Sequence, residues 1–410
     1  MKNLGKFGFV AAMLFAVVAV LQWFGARAAA GPVQTGGGPF HVLAPIESGD
    51  LLLFPVVRAD GKATGETPFI TLDEGLKSGE VEVTEAGRAR GLVRPRSGEG
   101  SPGPDTYRGD EVNTLVLVNH SKRPLLLLAG EIVTGGKQDR IIAKDRIVPA
   151  DADPIDLSVF CIEPGRWTES SAYFGGSGKS VAKSFMVQPE VRERAMVEQD
   201  QQQVWNSVHG ALAQMEVAAS PPASGGGGGF TEAPRILGTT SYAKAMQDPA
   251  VSQKVDEAAA PVMQAREQVL AKLRDEHAVG VVVAVRGEII WADLFANTDL
   301  LSRYWTKLVR SYAAESLTEG ENHAAPSVAD AQHFLDTPSG GTENSEGDVG
   351  IYRYRELKSS GTETFVLESL LPGTGYDVHI SKMKLHGEER HAVKPHPTYQ
   401  PDIYQPGIYR

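Results

Sequence analysis

Residues 278–295 read AVGVVVAVRGEIIWADLF, two apolar runs separated by Arg286-Gly287. The runs are rich in β-branched residues, and the dipeptide between them places a glycine where a tight turn needs a positive φ. The stretch is therefore expected to form a two-stranded hairpin. A hairpin this apolar is not stable alone in water and has to extend a larger sheet. No such sheet is close by in the sequence, because the hairpin lies between two helical patterns. The other strand-like runs upstream end near residue 163, beyond SPPASGGGGGF at 220–230. A glycine run of that kind ordinarily reads as a linker between domains. The hairpin's need for partners overrules that reading. The glycine-rich stretch, residues 218–232, is expected to be a flexible internal loop, with strands on either side of it sharing one sheet.

The rest of the chain supports one large β-rich domain with long amphipathic helices inserted between strands, an α+β architecture. HVLAPIESGDLLLFPVVRADG, from His41, carries short apolar runs split by Gly, Asp and Pro, a strand pattern. A short helix is expected at residues 72–78 and a strand through Val81 and Val83. Residues 94–110 form a turn-rich loop. VNTLVLVNH and PLLLLAGEIVTGG read as buried neighbouring strands, and DPIDLSVFCIE as another. A helix is expected over 188–209. The strongest helical periodicity runs through Val251, Val255, Ala258, Val262, Ala265 and Val269. After the hairpin, a helix capped by Asn297 or Thr298 buries Leu301, Tyr304, Leu308 and Tyr312. A polar loop at 338–348 then leads to strands near TFVLESLL and YDVHISKM. The last residues, 385–410, form a Pro/Tyr-rich tail.

The N-terminus carries an address. Lys2 and Lys6 precede an apolar run over residues 7–24, followed by Ala26-Arg27-Ala28 and Ala28-Ala29-Ala30, both of which fit a signal-peptidase site. The run is also near the roughly 20 residues that span a bilayer, so an uncleaved anchor competes with a signal peptide for residues 1–30. Both readings export the domain, to the periplasm or outside, with the membrane touched only through an uncleaved segment. The formal net charge of -11 excludes nucleic acid as the main partner, since phosphate backbones call for a clustered basic excess. The single cysteine, Cys161, rules out an internal disulfide framework, so stability has to come from burial.

Motif by motif, the familiar chemistries fall away. Gly178-Lys179-Ser180 resembles the end of a phosphate-binding loop, but Tyr173 stands where that loop begins with glycine, and polar residues precede it instead of a strand. It reads as a glycine turn, with Lys179 as a residual anion contact. His386, His391 and His396 are five apart, a poor spacing for helical metal ligands, and no metal site is expected. Neither a Gly-x-Ser-x-Gly elbow nor a His-Glu-x-x-His pair is present. Cys161 alternates with Leu157 and Val159, which makes it a buried, unreactive thiol. No cofactor is indicated.

The densest polar stretch is AGEIVTGGKQDRIIAKDRIVPADADPIDLSVFCIEPGRW, residues 129–167. Strand alternation puts Glu163 at the end of an apolar face, where a carboxylate needs a partner. Arg166 or Arg140 would supply it, either to hold a phosphate or carboxylate ligand or to pin the structure. His379, in YDVHIS beside Asp377, is the one candidate acid/base pair.

These residues carry a resemblance. GGKQDR at 135–140, CIEPGRW at 161–167, the hairpin with its following helix, and VHIS resemble the ARPP-1 domain, the ADP-ribosylglycohydrolase and rhodanese-phosphatase-superfamily-associated family, over about residues 39–384. The resemblance implies a role around ADP-ribose or NAD-derived ligands, by association and not by an established reaction. Positions that fit its pattern are Glu131, Gly135, Gly136, Gln138, Arg140, Cys161, Glu163, Arg166, Trp167 and His379. Two functions of different class follow. In the first, an anionic nucleotide-like or sugar-phosphate ligand is held by Lys137, Arg140 and Arg166, oriented by Gln138, stacked on Trp167 and worked on by Glu163, Glu131 or His379. In the second, the protein is a non-catalytic envelope or surface binding protein whose polar cluster is structural and whose tail meets a protein partner. Convergence of Gln138, Arg140, Glu163 and Arg166 on an open pocket would favour the first. Pairing inside a closed core would favour the second.

Overall fold

The computed structural model describes residues 40–58, 67–85, 114–164, 185–220, 237–264, 277–318, 320–338 and 340–385, with single positions at 171, 174, 271, 273 and 275. Residues 1–30, expected to be a signal peptide or anchor, residues 94–110, Gly178-Lys179-Ser180, most of the glycine-rich stretch and residues 386–410 lie outside them. The chain begins with β1 (Phe40–Val42), β2 (Ile46–Ser48) and β3 (Leu51–Arg58), and β4 (Ile70–Thr71) runs directly into α1 (Leu72–Ser78). Strands β5 (Val81–Glu85), β6 (Thr114–Asn119), β7 (Leu125–Leu127), β8 (Ile132–Val133), β9 (Arg140–Ile142), β10 (Arg146–Val148) and β11 (Ala152–Cys161) follow. The helical middle comprises α2 (Pro189–Glu193), α3 (Gln201–Ala219), α4 (Tyr242–Gln247) and α5 (Pro249–Gln264). The hairpin β12 (Ala278–Val285) and β13 (Glu288–Phe295) leads to α6 (Thr298–Ser316) and α7 (Val328–Asp336). The chain closes with β14 (Thr342–Asp348), β15 (Tyr352–Ser359), β16 (Thr362–Ser369) and β17 (Asp377–Lys384). This is an α+β fold.

The described strands form three sheets. The largest has the order β1-β3-β12-β13-β17-β16-β15-β14, with β2 also on β3. The β12–β13 hairpin sits at its centre: β12 pairs on its other side with β3, Val282 opposite Phe54 and Val283 opposite Leu53. The hairpin thus completes a sheet begun more than 200 residues earlier, on the far side of the glycine run. Its turn has positive φ at both Arg286 and Gly287, the geometry that matches strand twist. A Cβ at Gly287 would run into the His323 carbonyl, so glycine is required there.

Each face of this sheet has its own cover. Leu51, Leu53, Val281, Val283, Trp291, Phe295, Phe365, Leu367 and Met383 belong to the larger core, together with Leu301, Tyr304, Leu308 and Tyr312 of α6. The opposite face carries Lys382, whose ammonium donates to the carbonyls of Leu335 (3.4 Å) and Thr337 (2.6 Å) at the C-terminus of α7. A cation there complements the helix dipole. The two smaller sheets, β10-β7-β4 and β5-β6-β11-β9-β8, surround a second cluster that includes Ile70, Leu117, Leu127, Leu157 and Val159.

Three expectations need correction, and two elements were not foreseen. The runs VNTLVLVNH and PLLLLAGEIVTGG are buried strands, but β6 and β7 belong to different sheets. The helix expected over 188–209 is broken: α2 continues into a π-helical turn (Arg194–Glu198), Gln199 takes positive φ, and α3 starts afresh with Asp200 as its cap. The polar stretch at 338–348 contains an edge strand, β14. Its first five residues, Thr342 to Glu346, are exposed and polar, so apolar alternation never marked it. Strand β15 and helix α7 were not foreseen, the first because YRYRELKS mixes charge into its pattern.

Candidate functional site

The polar residues of 129–167 are positioned by two different scaffolds. Around the loop 135–139, Asp139 accepts the Gly135 amide (3.1 Å) and the Ser241 hydroxyl (2.7 Å). Ser241 in turn caps α4 by accepting the Lys244 amide. Glu163 accepts the Asp139 amide at 3.2 Å and ion-pairs with Lys244 at 3.2 Å. So the carboxylate predicted to need a partner has one in Lys244 of α4, a residue that sequence reasoning did not offer. Arg140 is fully buried on β9 and donates to the Asp139 carbonyl at 3.4 Å. Gln138 is likewise fully buried, and neither atom of its amide has a hydrogen-bond partner among the described residues. Lys137 is exposed, with its backbone amide held by Glu85 at 2.9 Å. Arg166 and Trp167 lie outside the described residues. Cys161 is buried, and burial pushes its thiol up to about 11.

Glu131 belongs elsewhere. Its carboxylate accepts the Leu128 amide at 2.7 Å and meets the Lys307 ammonium at 2.6 Å, and Lys307 also pairs with Asp73 at 2.6 Å. Burial raises the Glu131 pKa. Burial works against charge on Lys307 as well, but its two carboxylate neighbours outweigh it and raise the pKa.

His379 lies at the heart of a network that the sequence did not disclose. Its Nδ1 lies 2.6 Å from Asp145 and its Nε2 3.2 Å from Asp293. Arg192 forks onto Asp293 with both terminal nitrogens, at 2.9 and 3.0 Å, and lies over the Trp291 ring. Ser381 and Tyr312 donate to the same carboxylate at 2.8 and 2.5 Å. Burial disfavours the imidazolium, yet Asp145 and Asp293 outweigh that cost and hold His379 at about 9. Burial also disfavours the Asp293 carboxylate, but Arg192 and His379 bring its pKa well below the usual range. The proposed pairing of His379 with Asp377 is thereby corrected: Asp377 pairs with Arg355, at 3.5 Å. Strand register explains the geometry, since Asp293 stands directly opposite Ser381, and His379 opposite Phe295. Gly130 lets the arginine in, because a Cβ there would strike the Arg192 side chain.

Asp293, Arg192, Tyr312, Ser381 and Lys307 were missed as network members. A signal existed: Asp293 and Ser381 interrupt apolar strands at buried positions, and Lys307 follows Tyr304 by three residues on the buried side of α6. Among the described residues no cluster of three or more His, Cys, Asp or Glu side chains is arranged to hold a metal.

The hairpin is thus seated between β3 and β17, and Asp145 of the 129–163 segment reaches His379 on β17. Residues 39–383 match the model of the ARPP-1 domain, the ARG and Rhodanese-Phosphatase-superfamily-associated Protein domain. The chain belongs to the ARPP-1 family. The match spans the glycine-rich stretch, as the pairing of β3 with β12 also does. No curated protein and no solved structure matches the chain. The ARPP-1 domain of this protein therefore distributes its described, buried candidate residues over three groups. Glu163, Gln138 and Arg140 gather near the 135–139 loop, while Glu131 and His379 belong to separate ion-pair networks beneath α6.

Proposed function

We propose that this ARPP-1 protein is an exported, non-catalytic binding protein of the cell envelope or surface. The observation that carries the non-catalytic part is the burial of every described candidate acid and base: Glu131 is 1% exposed, Glu163 2% and His379 0%, each with charged partners in the fold. A general acid or base has to reach the proton it moves. Buried charges of this kind hold elements in register. Export rests on the apolar run and small-residue sites of residues 7–30, and the Pro/Tyr-rich residues after Leu385 are the proposed contact for a protein partner. Cell fractionation with a C-terminal reporter tests the first part. Signal confined to the cytoplasm would sink export. Deleting 386–410 tests the second, since partner capture by crosslinking in intact cells should be lost while the melting temperature of the domain is kept.

Gln138 favours a second reading. A buried amide with no hydrogen-bond partner among the described residues is costly, and an anionic ADP-ribose-like, NAD-like or sugar-phosphate ligand near Gln138 and Arg140 would satisfy it. Thermal unfolding against ADP-ribose, NAD and sugar phosphates separates the two readings. A ligand at about a hundred times its Kd stabilises the fold by about 2.7 kcal/mol. A shift that disappears in a folded Gln138→Leu variant would establish the ligand. No shift with any of them leaves the binding-protein reading alone.

A further inference from the structure

The turn between β9 and β10 clasps the far end of the large sheet. Three consecutive residues each reach a different partner: Lys144 pairs with Glu346 at 2.9 Å, Asp145 with His379 at 2.6 Å, and Arg146 with Asp348 at 3.2 Å. Between this clasp and the β14–β15 hairpin lies a concavity of about 510 Å³, within the size range of small-ligand sites. Asn344 and Glu346 of β14 stand in register with Glu356 and Tyr354 of β15 on its wall. A small adjoining cavity shares Lys144, Glu346 and Tyr352 with it and reaches inward to Asp145.

Two observations mark this concavity as a site. Tyr354, which lines it, is 3% exposed, yet its hydroxyl has no hydrogen-bond partner among the described residues. Tyrosine hydroxyls buried in a fold normally find one. The second is the balance of charge. Lys144 and Arg146 are matched by Glu346 and Asp348, Arg353 by Glu368 at 3.5 Å, and Glu356 by Lys358 at 2.7 Å. A phosphate would meet no uncompensated cation there. What the wall offers is a mixture of carboxylate acceptors, one ammonium and one guanidinium donor, an amide and phenols, with the apolar Val349, 97% exposed, beside them. A ligand whose groups are both donors and acceptors, with apolar C–H surface between them, meets all of these at once.

We propose that the concavity between the β14–β15 hairpin and the Lys144–Arg146 turn binds a neutral saccharide. The site is separate from the group formed by Gln138, Asp139, Glu163, Ser241 and Lys244. The proposal deepens the reading of the chain as a binding protein and rests on it for the kind of ligand its surroundings supply. Tyr354 donates to one sugar hydroxyl, Glu346 and Glu356 accept from others, and Asn344 does both at the open edge.

The test is calorimetric titration of the purified full chain with neutral oligosaccharides, namely maltotetraose, cellotetraose and triacetylchitotriose, and with ADP-ribose and inorganic phosphate for comparison. Tyr354→Phe removes only the unpaired hydroxyl, so its folding midpoint should equal or exceed that of the parent while affinity for the bound sugar falls about tenfold. Asn344→Ala, at an exposed position, should weaken binding with no change in folding. Saturable binding of a neutral sugar that responds to both variants establishes the site. No neutral sugar bound up to about 10 mM, binding indifferent to both variants, or a Tyr354→Phe protein that is destabilised would each overturn it. Failure here leaves the cell-fractionation and crosslinking results untouched, and a cytoplasmic location would leave the titration untouched, so the two ideas fail separately.

Discussion

Arg192 and Asp293 have no exposed side-chain surface, and each is the main partner of the other. Removing two charges from water costs several kcal/mol per ion, and only good geometry with additional hydrogen bonds offsets it. Asp293 has that geometry: a two-pronged guanidinium, a serine and a tyrosine hydrogen-bond to one carboxylate, and the His379 imidazole lies 3.2 Å from it. Replacing one partner alone strands the other. Arg192→Leu should therefore cost about 3–5 kcal/mol, read as a lower urea midpoint. A cost near zero would show that solvent reaches Asp293. The proton balance makes a second prediction. The folded-state pKa of His379 is raised from 6.5 to about 9, and burial raises that of Glu363 from 4.5 to about 8. Each group holds its proton more tightly folded than unfolded, so its contribution is complete below the unfolded pKa and is lost as pH rises through the folded one. Lys382, lowered to about 8 by burial, contributes in the opposite sense only above that pH. Between pH 6.5 and 8 stability should thus fall, by roughly 2 kcal/mol from His379 alone. Glu363→Gln should make the fall shallower, and urea titrations at the two pH values would show it. A stability that rises over this interval would refute the assignment.

At the scale of elements, the ends of strands and helices are managed by single residues. The large sheet has two edges, and they differ. At β1 the side chain of Gln332, on α7, takes the Val42 amide (2.9 Å) and the Phe40 carbonyl (3.3 Å), standing in for a missing strand. At the other edge, β14 has no strand beyond it among the described residues, and it carries the exposed Glu343 and Glu346, charges that discourage pairing with another chain. Two glycines test how turns are specified. Gly79 ends α1 with φ +76 and has open space around its missing Cβ, whereas Gly287 has φ +81 and faces the His323 carbonyl. Gly79→Ala should cost about 1 kcal/mol, for backbone strain alone. Gly287→Ala should cost more than about 2 kcal/mol, because it has to move the 323 segment as well. Equal costs in thermal melts would mean that the chain after α6 yields easily.

For the whole molecule, the decisive contact is β3 against β12. It joins the first third of the described chain to the last, and the larger core draws on both sides of the glycine-rich stretch, from Leu51 and Ile141 to Val283 and Phe365. Loop length adds little to the cost of such a closure, about 0.6 kcal/mol per doubling. A chain cut within the glycine run should therefore stay assembled and unfold in a single transition, while residues 1–225 made alone should aggregate, since β3 would present an unpaired apolar edge. Co-expression of the two fragments followed by size-exclusion chromatography tests this. Two stable, separately folding fragments would show that the large sheet is not a cooperative unit.

Much of this was legible in one dimension because burial leaves a periodic trace. The hairpin with its Arg286-Gly287 turn, the Asn297-capped helix, the 72–78 helix and the β11 strand all announce themselves by apolar spacing and by turn or cap residues that are local in origin. So does the inference that the hairpin needed distant partners. Family membership was legible too, in GGKQDR and CIEPGRW. What the sequence could not fix is which polar residue meets which. Lys244 for Glu163, Asp145 and Asp293 for His379, Lys307 for Glu131, and Arg192 beneath Gly130 come from segments far apart in the chain, and a charged side chain carries no mark of its partner. Those pairings exist only once sheet register and helix packing have brought the segments together, because electrostatic pairing in a low-dielectric interior is decided by distances of a few ångströms.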